Sequence, residues 1–172
     1  MSLSDYVHLI KPRIIPLLIL VALSSAIIAA RAVPSLTVIL GLLVAGTLTS
    51  GGALAINSYL EADIDAMMAR TRNRPLPSGR IVPRRRALLV GLTLLLAGIV
   101  VSALTLPILG TLFIVLGAVV YVPIYTLWLK PRTTWNIVLG GFAGSCASLA
   151  GWYSITTSQP LIASTLAALV FV

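Results

Sequence analysis

The sequence predicts an all-α fold, a polytopic bundle of transmembrane helices with about five full spans and the start of a sixth. Composition gives the first reason. The 172 residues are 59% hydrophobic and only 9% charged, with a mean hydropathy of +1.08. A soluble domain carries about 25% charged residues, so this chain has too few to cover a surface facing water. The second reason is arrangement. The apolar residues run in stretches of about 20, the length that crosses a bilayer as a helix. Lipid offers backbone polar groups no other partner than the segment's own helix or a closed barrel. Barrel strands alternate in polarity over short segments, and a run such as Ile14–Ala30 does not alternate. These features exclude an ordinary soluble enzyme and a disordered tail. They also exclude a nucleic-acid partner, because such binders set many exposed charges on a soluble frame.

In chain order, the spans are expected at 14–31, 36–60, 87–106, 108–129 and 135–156. The first is too long for the apolar core of a signal peptide, and further spans follow it. It therefore reads as an uncleaved helix rather than a leader cut near Ala30. A sixth run starts at Leu161 and reaches Val172, too short to cross. Pro34 marks a tight turn between the first two spans, Pro107 another, and Thr156–Pro160 a third. The one long connection, Asp63 to Arg86, holds seven arginines: Arg70, Arg72, Arg74, Arg80, Arg84, Arg85 and Arg86. With a cytoplasmic N-terminus, every Lys and Arg except Arg31 falls on the cytoplasmic side, as the positive-inside rule requires. The expected location is the cell membrane, multi-pass, with residues 1–172 as a single membrane domain. The single Cys146 excludes an intrachain disulfide and a multi-cysteine metal site, and reads as a packed thiol.

The four acids are Asp5, Glu61, Asp63 and Asp65. Asn57, Glu61 and Asp65 recur every fourth residue, which on a helix of about 3.6 residues per turn makes one stripe. Asp63 lies off it. Carboxylates at membrane depth are costly and normally face a polar cavity or a partner. Two stacked carboxylates repel each other unless a cation sits between them. An oxygen-only Asn/Glu/Asp set suits Mg²⁺, which shares its shell with water and substrate phosphates. The arginines that follow suit a diphosphate. The competing reading is that the acids balance the arginines at a solvated helix end.

The stretch Asn57-Ser-Tyr-Leu-Glu-Ala-Asp-Ile-Asp65, followed by Arg70-Thr-Arg-Asn-Arg-Pro-Leu-Pro-Ser-Gly-Arg-Ile81, resembles the first aspartate-rich motif of the UbiA-type intramembrane prenyltransferases. The wording is most like the haem-directed branch. Lys11-Pro-Arg-Ile14 resembles its opening. Tyr125-Thr-Leu-Trp-Leu-Lys130, Asn136-Ile-Val-Leu-Gly-Gly-Phe-Ala-Gly144 and Gly151-Trp152 resemble its fourth-to-fifth helix region. The resemblance runs from about residue 6 to residue 155. It implies a helical bundle with a cavity open to lipid. It also implies Mg²⁺, with farnesyl diphosphate and haem b as substrates and haem O as product. A quinone-precursor or lipid acceptor, or a non-catalytic membrane subunit, are the alternatives. Two departures stand out. Position 61 is Glu where the family has Asp, and no carboxylate follows Asp65 although the family carries a second acidic motif. The expectation is an N-terminal portion of such an enzyme, inactive or weak alone.

On this reading Asn57, Glu61 and Asp65 hold Mg²⁺ and form the catalytic set. Arg70, Arg72, Arg74, Lys130 and Arg13 are the candidates to neutralise the diphosphate, with Lys11 a weaker one. Arg84, Arg85 and Arg86 read as topology signals. Gly140, Gly141, Ala143 and Gly144 read as close helix packing, with room for an isoprenoid or haem as the alternative. Gly46, Gly51 and Gly52 read the same way. Tyr121, Tyr125, Trp128, Trp135 and Trp152 read as interfacial aromatics. His8 reads as solvated rather than as a haem ligand.

Overall fold

The computed structural model describes residues 3–130, 132, 133 and 135–171, and among these the regular structure is all helical, without strands. Val172, the expected end of the sixth run, lies outside the described residues. The helices are α1 Leu3–Leu9, α2 Ile15–Ala30, α3 Leu36–Leu60, α4 Ala62–Met67, α5 Arg85–Thr105, α6 Ile108–Val119, α7 Asn136–Tyr153 and α8 Pro160–Phe171. A π-helical segment, Val120–Leu129, continues α6.

Local chemistry sets the ends. Pro16 occupies the first turn of α2, where its missing N–H costs nothing. Arg31 closes that helix in the left-handed conformation, φ 52°, donating its N–H to the Ile28 carbonyl. The Ser35 hydroxyl accepts from the Val38 N–H and caps α3. Pro107 precedes α6 in an extended conformation, as a proline outside a helix start does.

Among the described residues, three helices are long and apolar enough to cross a membrane: Leu36–Leu60, Arg85–Thr105 and Ile108–Leu129. The five expected spans correspond to α2, α3, α5, α6 with its π-helical continuation, and α7, and the sixth run corresponds to α8. Helix α2 keeps 16 residues, a rise of about 24 Å, because Pro16 and Arg31 trim it at both ends. Helix α8, like α2, is a shorter apolar helix. Leu89, Leu92, Leu96, Val100 and Leu104 all point outward from α5, an apolar face suited to lipid.

Helix α3 packs chiefly on α5, and α7 packs on α2, α6 and α8. Small residues permit the close approaches. A Cβ on Gly52 would stand 2.6 Å from the Gly91 carbonyl oxygen of α5, and one on Gly151 would collide with the Ala22 backbone of α2. Such contacts suit helix association in lipid, where backbone approach replaces hydrophobic drive. Ser148 of α7 donates to Ser25 of α2 at 3.3 Å across the same seam.

The long connection is built rather than loose. Leu76 and Ile81 are buried with Leu9, Ala55, Ala62 and Ala87 in one apolar cluster. Fully burying a side chain of that size contributes roughly 1.5–3 kcal/mol. Arg80 pairs with the buried Asp5 of α1 at 3.3 Å, and Arg84 pairs with Asp63 at 2.5 Å. The connection is thus pinned to α1, α3 and α4 at one end of the bundle.

Candidate functional site

That end carries the acidic stripe. Helix α3 breaks at Glu61 (φ −95°, ψ 2°) and resumes as α4. Helical bonds nevertheless run through the break: Glu61 N–H donates to the Asn57 carbonyl at 3.0 Å, and Asp65 N–H to the Glu61 carbonyl at 2.8 Å. Asn57, Glu61 and Asp65 therefore keep a common face, and all three are buried, at 2%, 7% and 5% exposure. Asp63 points away and is exposed beside Arg84. Asp63 fits the solvated-helix-end reading, whereas Glu61 and Asp65 are paired with cations but buried.

Each member of the stripe is held by a cation from a different part of the chain. Lys11 Nζ donates to Asn57 Oδ1 at 2.6 Å. Lys130 Nζ pairs with Glu61 Oε1. Arg74 Nη1 pairs with Asp65 Oδ2 at 2.7 Å, while Thr71 Oγ1 donates to the Asp65 carbonyl at 2.9 Å. Lys11 sits in the link between α1 and α2 at φ 50°. Burial, reinforced by Arg74, lowers its pKa to about 8, against the pull of Glu61 and Asp65.

The structure thus brings together Asn57, Glu61, Asp65, Arg74 and Lys130, and it adds Lys11. Arg13, Arg70 and Arg72 are exposed. Among the described residues no three acidic, His or Cys side chains converge on one point. The donor chemistry still fits a hard cation. An amide oxygen and two carboxylates line one buried face, and all three already accept positive charge. Such a set would fill one side of a Mg²⁺ shell, leaving the rest to water and phosphate oxygens.

Next to the stripe lies an apolar cavity of about 230 Å³ between α2, α3, α6 and α7. Leu18, Gly46, Ala118, Gly144 and Ala147 are among its walls. Tyr121 joins the two regions. It lines the cavity and stacks on Tyr125 at 5.6 Å, and Lys130 sits 5.9 Å over the Tyr125 ring. The small residues of α7 divide accordingly. Gly140, Ala143 and Gly144 line the cavity, whereas Gly141 packs against the Phe171 backbone. Gly52 keeps its packing role against α5.

Two side chains differ from expectation. Trp152 is buried at 2% exposure and donates its indole N–H to the Ser158 carbonyl at 3.1 Å. It is a core residue, unlike the exposed Trp128 and Trp135. Thr126, not singled out in the sequence, accepts a bond from Asn57 Nδ2 at 3.1 Å. His8 is exposed and bonds to the Ser4 carbonyl of its own helix at 2.7 Å. Cys146 is free and buried, as a packed thiol should be.

The helical bundle thus sets buried oxygen donors and cations beside an apolar cavity, features that suit an amphipathic anion in a membrane protein. The chain belongs to the UbiA prenyltransferase family, whose sequence model matches residues 17–172. It is 46% identical over 166 residues to the protoheme IX farnesyltransferase of Metallosphaera sedula, covering 96% of this chain and 57% of that protein. It is 42% identical over 174 residues to the protein of that name from Sulfurisphaera tokodaii, covering 99% of this chain and again 57% of the relative. The chain therefore spans little more than half the length of these relatives. A UbiA homolog from Archaeoglobus fulgidus, solved bound to DMAPP and Mg²⁺, shares the fold with a TM-score of 0.80 at 18% identity. That likeness covers 97% of this chain and 60% of the homolog.

Proposed function

We propose that this chain carries one diphosphate-binding wall of an enzyme that transfers the farnesyl group of farnesyl diphosphate to a vinyl group of protoheme IX, making haem O. The observation that carries the reading is the buried Asn57–Glu61–Asp65 face, matched by three cations and adjoining an apolar cavity. A prenyl diphosphate has the same two-part character, an anionic head and an apolar tail. The names of the relatives support the farnesyl donor and the haem acceptor.

Asn57, Glu61 and Asp65 would hold Mg²⁺, which supplies Lewis-acid charge to the diphosphate when bound. With those three oxygens engaged, Lys11, Arg74 and Lys130 would be free to donate to diphosphate oxygens. As the C–O bond to the farnesyl carbon breaks, the electron pair leaves with the diphosphate, where these cations stabilise it. The apolar walls around Leu18, Ala118 and Ala147 keep water from the allylic cation. The vinyl carbon forms the new C–C bond, and water adds to the neighbouring carbon with loss of a proton.

The test is product analysis by mass spectrometry. The whole enzyme that carries this wall, reconstituted in membranes with farnesyl diphosphate, Mg²⁺ and haem b, should yield haem O, and Asp65→Asn within it should lower the rate by about a hundredfold; residues 1–172 alone should give little or none. Prenylation of a quinone precursor in place of haem would overturn the acceptor. The same reading puts the acidic face and the N-terminus on the cytoplasmic side of the cell membrane. The clustering of Lys11, Arg74 and Lys130 at one end of the bundle supports this, and reporter fusions to the Arg70–Arg86 connection would test it.

A further inference from the structure

We propose that Thr126 is a positioning residue that fixes which end of the Asn57 carboxamide faces the cation site. The inference rests on the prenyl-diphosphate reading of that site and assigns a role inside it.

An asparagine carboxamide has two chemically opposite ends, and a half-turn exchanges an acceptor for a donor. A metal or a protein cation accepts only the oxygen. Asn57 is 2% exposed, so water does not hold its orientation. The holding groups are at its two ends. Nδ2 donates to Thr126 Oγ1 at 3.1 Å, and Oδ1 accepts from Lys11 Nζ at 2.6 Å.

A hydroxyl can itself turn, and Thr126 would hold nothing if its proton were free. The proton is committed. Thr126 Oγ1 donates to the Tyr121 carbonyl at 2.8 Å. A hydroxyl has one proton, so toward Asn57 the same oxygen offers only lone pairs. The nitrogen end must therefore turn to Thr126, and the oxygen end to Lys11. The Lys11 ammonium has no lone pair and demands the same orientation. Two independent constraints agree, although amide ends look alike by shape.

The constraints differ in lifetime. Lys11 must leave Oδ1 when a metal takes that oxygen. Thr126 stays, and holds the amide through the exchange. The π-helical geometry makes this possible: the Tyr121 carbonyl that takes the hydroxyl proton lies five residues back, on the same widened turn.

The experiment uses the protein in nanodiscs, with Mn²⁺ and inorganic diphosphate as the probe, read by electron paramagnetic resonance. Thr126→Val should weaken Mn²⁺ binding about tenfold or more, the usual effect of losing a group that orients a metal ligand. Thr126→Ser, which keeps the hydroxyl, should restore it. Equal affinity in Thr126→Val, or no rescue in Thr126→Ser, overturns the proposal. A second readout needs no variant at Thr126. In ¹⁵N-asparagine-labelled protein, the Asn57 NH₂ pair, identified by its loss in Asn57→Asp, should resist solvent exchange and show a cross-peak to the Thr126 side chain. Fast exchange with no such cross-peak also overturns it. Wild-type protein that binds no Mn²⁺ with diphosphate would count against the prenyl-diphosphate reading, and the Asn57 resonances would still decide the orientation.

Discussion

Glu61 is the residue whose burial most needs explaining. Its side chain is 9% exposed, and its charge is met by Lys130, itself 42% exposed. A carboxylate so placed is tolerated only with a partner. Lys130→Met should lower thermal stability in detergent by about 1–2 kcal/mol, less than for a fully buried pair because water still reaches the lysine. An unchanged melting temperature would mean that another cation takes its place. At this scale the sequence is partly legible. The every-fourth spacing alone identifies the buried face and sets Asp63 apart from it. It does not find Thr126, which lies 69 positions from Asn57 and meets it only through folding. Nor does it rank the arginines. Arg74 and the exposed Arg70 and Arg72 look alike in the sequence, and only the fold shows that Arg74 reaches Asp65.

Helix positions were legible to within a few residues, because long apolar runs leave the backbone no alternative to a helix in lipid. The expected 36–60 is α3 itself, and 87–106 is shifted by one or two residues. Short elements were not legible. Helices α1 and α4 have 7 and 6 residues, and no apolar run announces them. The clearest prediction for an element concerns the α3–α5 crossing. Gly52→Val places atoms against the Gly91 carbonyl and Leu95 backbone, where no flexible side chain can yield. It should destabilise the protein by about 1–3 kcal/mol in thermal unfolding, as overpacking does. Leu96→Ala, on the exposed face of the same α5, should change stability by no more than about 0.5 kcal/mol. Equal effects of the two would show that the crossing is not tightly packed.

For the whole molecule, the cavity was legible only through the family resemblance, and its walls were not. Its walls come from α2, α3, α6 and α7, and no single segment signals it. Small residues on α7 read as packing first and as room for a ligand second, and on this helix Gly141 packs while Gly140, Ala143 and Gly144 line the cavity. On the proposed prenyl-diphosphate reading, a cavity of only about 230 Å³ should govern how long a tail is accepted. Ala147→Leu should reduce the preference for farnesyl over geranyl diphosphate by about tenfold, or about 1.4 kcal/mol, in a competition assay resolved by mass spectrometry. An unaltered preference would mean that the tail lies elsewhere.

The π-helical stretch Val120–Leu129 holds one consequence for how such a protein is broken by mutation. Removing a single residue there, Val122 for example, leaves a segment just as apolar and just as helical. What changes is azimuth. Each residue turns an α-helix by about 100°, so everything beyond the deletion swings round relative to everything before it. Lys130 would rotate off Glu61, and Thr126 off Asn57. Such a protein should insert, express and give a normal circular dichroism spectrum while failing to bind diphosphate. The lesion would be invisible to any measure of hydrophobicity and plain to any measure of angle.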